Sequence, residues 1–192
     1  MASPQVIVIA GPNGAGKSTA ASLLLAARMM FVNADEIAKT LPGYPSTGVD
    51  RHAGRLALEQ MDELERQRAD FAVETTLAGR SLAPRLARLR RAGYLFHLIF
   101  IWSPSVAFSV QRVAARVRAG GHATPEETIR RRYEAGMKHF FRMDQPLADR
   151  WEVFENTQLE GFRMIAAGKG AEVVGIQDRE LWDLMRRWGT DE

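Results

Sequence analysis

The sequence predicts an α/β fold, with a central, mainly parallel sheet layered between helices. Three observations predict it. Apolar runs of strand length alternate with longer segments of helical periodicity along most of the chain. The first run, Gln5–Ala10, is apolar almost throughout, as a strand buried on both faces must be. That run leads through a glycine-rich turn straight into an alanine- and leucine-rich helical segment, Lys17–Arg28.

The remaining elements follow in order. Phe31-Val32 is a short second strand. Asn33 is placed to cap a helix, with Glu36 completing a capping box. Val49–Arg68 is a long helix with Val49, Ala53, Leu56, Met61 and Leu64 near one face. Asp70–Thr76 is a third strand ending in polar residues, and Ser81–Arg91 is a helix closed by Gly93. Tyr94–Trp102 is a long buried strand. Ser103-Pro104 starts a helix that runs to Gly120-Gly121. Thr124-Pro125-Glu126-Glu127 reads as a second capping box, opening a helix to about Phe141. Trp151–Asn156 is a fifth strand. A hairpin turning at Gly168-Lys169-Gly170 and a helix over Glu180–Trp188 close the chain. The prediction is therefore one domain over residues 1–192. It has a five-stranded sheet, a helical lid at about 104–145 and a C-terminal hairpin-and-helix appendage at about 161–192.

At 192 residues, 46% of them hydrophobic, the chain can bury a core of its own. With no cysteine it has neither disulfides nor thiolate metal sites, which fits the cytoplasm. No segment reads as a signal peptide or a membrane span. The net charge is only +3, but its distribution is uneven. Between Arg80 and Tyr133 stand eleven arginines, no lysine, and two acids, Glu126 and Glu127. A basic half of this kind matches an anionic ligand: nucleotide phosphates, a sugar nucleotide or nucleic acid.

In a parallel α/β sheet, ligands bind at the carboxyl ends of the strands. That rule selects Gly11–Thr19, Asn33–Glu36, Glu74–Thr76 and Asn156. Gly11 to Ser18 reads G-P-N-G-A-G-K-S, the phosphate-binding (P-loop) pattern, between a strand and a helix as its mechanism requires. The backbone of Gly11, Asn13, Gly14, Ala15 and Gly16 can wrap N–H groups around phosphate oxygens. The helix opening at Lys17, Ser18 and Thr19 aims its positive end at the same anion. Lys17 is the residue for the outer phosphates and Ser18 the Mg²⁺ ligand.

The class of P-loop protein narrows by what is missing from the sequence. There is no L-S-G-G-Q signature or Asp-Glu strand end of a transport ATPase, and no N-K-x-D guanine reader. Small-molecule kinases need neither. They pair a carboxylate near the second strand with an arginine-bearing lid. Asp35, just past the second strand, can orient an acceptor hydroxyl and take its proton, or bind Mg²⁺ through water. Glu74 ends the third strand and can contact Mg²⁺-bound water or substrate hydroxyls. Thr75, Thr76 and Arg80 follow it as acceptor-binding candidates. Arg112 and Arg116 share one helical face, opposite Val106, Val110, Val113 and Val117. After the Gly120-Gly121 hinge come His122 and Arg130, Arg131 and Arg132. Arg118 and Arg131 point elsewhere and read as bystanders, and His97 reads as a packed core residue.

"GPNGAGKST", "NADEIA", "VETTLAGR" and "QRVAARVRAGGHATPEETIRRRY" together resemble the stand-alone bacterial branch of the zeta toxin family, over about Val6 to Asn156. The resemblance implies ATP-dependent phosphorylation, in the founding branch of the 3′-hydroxyl of UDP-N-acetylglucosamine. It implies that Lys17 and Ser18 hold ATP phosphate and Mg²⁺, that Asp35 is the base, and that Glu74 lies near the acceptor. Arg112 matches a phosphate-contacting lid arginine. His122 falls where the founding branch has a second lid arginine, a contact left to His122, Arg116 or Arg132. Asn156 sits where related kinases approach adenine. Because the first strand begins at residue 5, an antitoxin is expected to be a separate protein.

Two other readings remain: a polynucleotide kinase or nucleic-acid-acting NTPase, and a non-catalytic nucleotide-gated binding module. Few aromatics interleave with the arginines, which counts against nucleic acid as a partner.

Overall fold

A computed structural model describes residues 3–25, 29–121, 123–157 and 161–189. Its strands are β1 (Gln5–Ala10), β2 (Met30–Asn33), β3 (Phe71–Thr75), β4 (Leu95–Trp102), β5 (Arg150–Glu155), β6 (Arg163–Lys169) and β7 (Glu172–Ile176). Its helices are α1 (Lys17–Leu24), α2 (Ala34–Thr40), α3 (Thr47–Arg66), α4 (Leu82–Arg91), α5 (Val106–Arg118), α6 (Glu126–His139) and α7 (Arg179–Arg186). Between α6 and β5 lie a π-helical turn, Phe140–Asp144, and a short 3₁₀ turn, Gln145–Leu147.

The strands form a single sheet in the order β2-β3-β1-β4-β5-β6-β7. The first five are parallel, with Val8 opposite Val73 on one side and Leu98 on the other. The predicted parallel sheet is present, but among the described residues it has seven strands where five are expected. The C-terminal hairpin adds to it antiparallel, β6 against β5, with Trp151 opposite Gly168. The turn falls at Gly170, and Gly168 lies inside β6. Among the described residues, no helix is long and apolar enough to cross a membrane.

Strand alternation divides the core between the two faces. Val6, Val8 and Ala10 face a large cluster built with Met61 and Leu64 of α3, Leu86 and Leu89 of α4, and Tyr133 and Met137 of α6. Ile9, Ile99 and Ile101 face a smaller cluster closed by Ala20 and Ala21 of α1. The small residues of α1 let that helix sit close over β1, directly behind the turn it follows.

Several boundaries move for local reasons. Leu25 turns to extended backbone, so α1 ends at Leu24; part of the predicted continuation to Arg28 lies outside the described residues. Ser46 accepts from the Val49 N–H at 3.3 Å and starts α3 two residues before the predicted Val49. Ser105 does the same for the Phe108 N–H at 3.1 Å, so α5 begins after Pro104 rather than at it. Neither predicted capping box closes. Glu36 pairs with Lys39 instead, and α6 follows Pro125 with no side-chain cap.

Candidate active site

The carboxyl ends of β1, β2 and β3 bring the strand-end residues together, because those strands are neighbours in the sheet and run in register. Asn33 stands directly opposite Glu74. The nucleotide-type loop lies between β1 and α1. At Gly16 the backbone takes φ +97°, a conformation that L side chains rarely adopt and glycine takes freely, and the Asn156 amide lies against the same point. The Lys17 ammonium, 8% exposed, donates to the Pro12 carbonyl at 3.0 Å and lies 3.9 Å from a Glu74 oxygen. The Ser18 hydroxyl donates to the other Glu74 oxygen at 2.9 Å, and the Asn33 amide donates to that same oxygen at 3.1 Å. Asn33 also caps α2 with its carbonyl oxygen, accepting from the Asp35 N–H at 2.9 Å.

Burial dominates the electrostatics. It lowers the Lys17 pKa from its ordinary value and raises that of Glu74, against their mutual attraction. The attraction of Glu74 and Asp35 for the Lys17 charge is opposed by Arg116 and Arg132, which places all four within electrostatic reach of the loop lysine.

A cavity of about 890 Å³ opens over this cluster. Its wall includes Asn13, Gly14, Gly16, Lys17, Ser18 and Thr19 of the loop, together with Asp35 and Glu74. Arg112 and Arg116 of α5 and Arg132 of α6 line the same cavity. Seven predicted site residues stand elsewhere or are not described. Gly11 and Ala15 belong to the loop but are buried behind it, and the Gly11 N–H donates to the Thr75 carbonyl at 3.2 Å. Thr75, Thr76 and Arg80 are not on the cavity wall. The Thr75 hydroxyl accepts from the Leu77 N–H at 3.0 Å, Thr76 packs its carbonyl under Gly136, and Arg80 is exposed on the surface. The chain turns away from the site after Glu74, and that turn accounts for all three. The Asn156 amide donates to the Ala15 carbonyl at 3.3 Å, holding the loop from behind. His122 lies outside the described residues.

Other residues reach the cavity unpredicted. Arg131, read as a bystander, lines it beside Arg132, while Arg118 does not. Lys39, Tyr44, Asp50 and Arg51 enter from α2, α3 and their connection, and Thr128 from α6. Only the count of consecutive arginines hinted at Arg131; no local motif marks the α2–α3 residues. His97 is paired with Glu152 at 3.2 Å, a contact between neighbouring strands β4 and β5.

The loop, the sheet order and the α5 and α6 arginines on the cavity wall fit a P-loop protein of the kinase type. The zeta toxin family model matches residues 1–162, and the chain belongs to that family. An uncharacterized protein of Haemophilus influenzae is 32% identical over 129 residues, 67% of this chain and 92% of that protein. Among solved structures, the AvrRxo1-ORF1:-ORF2 complex with ATP aligns with a TM-score of 0.71 and 20% identity. It covers 95% of this chain, which spans 63% of the length of that one. A structure of the PezAT toxin-antitoxin system of Streptococcus pneumoniae aligns over 100% of this chain and 80% of its own. Its TM-score is 0.66 and its identity 14%. Family and fold together support a nucleotide-dependent phosphotransferase that binds ATP.

Proposed function

We propose that the chain transfers the terminal phosphoryl group of ATP to a hydroxyl of a small metabolite, with UDP-N-acetylglucosamine the first candidate. One observation carries this reading: Lys17 of the loop, the carboxylates of Asp35 and Glu74, and the arginines of α5 and α6 line a single cavity large enough for a nucleotide and an acceptor. The loop and Lys17 hold the phosphates. Asp35 orients the acceptor hydroxyl and takes its proton. Arg112, Arg116 and Arg132 neutralise the group in flight.

The residues fit Mg²⁺. Ser18 and Glu74 present oxygens 2.9 Å apart beside the loop, and Mg²⁺ characteristically binds one or two protein oxygens plus substrate phosphates and water. When bound, the ion supplies positive charge against the phosphate oxygens. No cluster of three or more His, Cys, Asp or Glu able to form a dedicated metal cage occurs among the described residues.

The reading places the protein in the cytoplasm with a separate antitoxin as its partner. Support for the partner comes from the family and from neighbours solved as two-component complexes. The test is ATP turnover against a panel of sugar nucleotides, with products followed by phosphorus NMR. Phosphate ester on an acceptor is expected. ADP formed only by transfer to water, across the whole panel, overturns the reading.

A further inference from the structure

The last unit of the chain, β6, β7 and α7, lies beyond the family match at residue 162. Its core contacts are plain: the Trp182 ring stacks on Trp151 at 5.5 Å, and Met185 is fully buried. Trp188, just past α7, makes a different contact. It meets Tyr133 edge-to-face at 5.5 Å and 70°. Tyr133 sits within α6, next to Arg131 and Arg132, and is 1% exposed.

From Tyr133 the contacts continue to the nucleotide loop. Its hydroxyl donates to the Ser103 carbonyl at 2.7 Å, where β4 gives way to the α5 lead-in. The buried hydroxyls of Ser103 and Ser109 are 3.0 Å apart, which ties the root of α5 to the same point. At Gly14 of the loop, an added Cβ would stand 3.0 Å from the Ser109 carbonyl and 2.9 Å from the Arg112 Cβ. So α5 rests directly on the loop at Gly14. Of the α5 side chains only Ser109 and Val113 are fully buried, with Val106 half-buried against the main core.

We propose that Trp188 and Tyr133 form a bracket that positions both lid helices, and hence Arg112, Arg116 and Arg132, over the phosphate loop. Both are positioning residues, acting through α5 and α6 and not by touching substrate. The inference rests on reading the cavity as an ATP site and assigns the C-terminal unit a role in that site.

The test uses the full chain and three measurements: ATP affinity by calorimetry, turnover, and hydrogen exchange of α5 and α6. Trp188→Ala and Tyr133→Phe are expected to weaken ATP binding by about 3- to 30-fold. They are also expected to speed exchange in α5 and α6 while leaving β1 and β3 protected. Trp188→Phe restores most of the affinity, and the double variant loses less than the product of the two single losses. Met185→Ala separates stability from positioning: it lowers Tm at least as far as Trp188→Ala but leaves ATP affinity unchanged below its transition. The bracket is overturned if Trp188→Ala lowers Tm while ATP affinity and α5–α6 exchange match wild type. A wild-type chain that binds no ATP overturns the kinase reading instead, and the exchange measurement still decides on the bracket.

Discussion

At the residue scale the site turns on one buried amide. Asn33 donates its side-chain N–H to the Glu74 carboxylate and accepts the Asp35 backbone N–H on its oxygen, so it ties the end of β3 to the start of α2. Asn33→Ser keeps a capping oxygen but loses the donor to Glu74. We expect it to fold with near-native Tm and to lose kcat while ATP binding holds. Asn33→Ala adds the loss of the cap, about 0.5–2 kcal/mol of stability, read by denaturant titration. Asp35→Asn removes the proposed proton acceptor and should cut turnover by about 10²–10⁴-fold with little change in ATP affinity, measured by steady-state kinetics. That Asn13, Gly14, Gly16, Lys17, Ser18 and Thr19 share one cavity with Asp35 and Glu74 is legible because strand ends, glycines and a lysine in fixed order have few other uses. Thr75, Thr76 and Arg80 were misplaced because sequence adjacency to Glu74 says nothing of where the chain turns. Tyr44, Asp50 and Arg51 were invisible, since only the folding of α2 and α3 against each other brings them to the cavity.

At the element scale, strands and helices were predicted in order, and the errors cluster where side-chain caps compete. Serines at 46 and 105 captured backbone donors that the periodicity alone could not assign. The π-helical turn after α6 had no sequence signal either; it buries Asp144, one of whose oxygens finds no partner among the described residues. Burial raises the Asp144 pKa to about 7. The folded state therefore holds this proton more tightly than the unfolded chain does. The resulting stability is complete below pH 3.8 and is lost as pH rises through about 7. Asp144→Asn should flatten that slope and stabilise the protein at pH 8, on the order of a few kcal/mol, as measured by urea unfolding across pH.

At the scale of the whole molecule, the hairpin extends the main sheet and α7 packs into the core. Ile165, Ala166, Trp182 and Met185 all belong to the larger cluster. The sequence disclosed a hairpin but not its destination, because pairing between β5 and β6 is a long-range choice with no local mark. Ending the chain at residue 162 should leave it unable to fold, giving aggregated or protease-sensitive material on expression. Trp182→Ala in the full chain should cost about 3–5 kcal/mol in denaturant titration, the usual cost of emptying a buried tryptophan site.

The near-parallel rings of Trp151 and Trp182, 12° apart in orientation, carry one more consequence. Each indole sits in the other's asymmetric surroundings, so the near-ultraviolet circular dichroism of the chain should change when Trp182 is replaced by Phe. Because one ring belongs to the parallel sheet and the other to the final helix, that signal would report optically on the chain's end closing onto its centre.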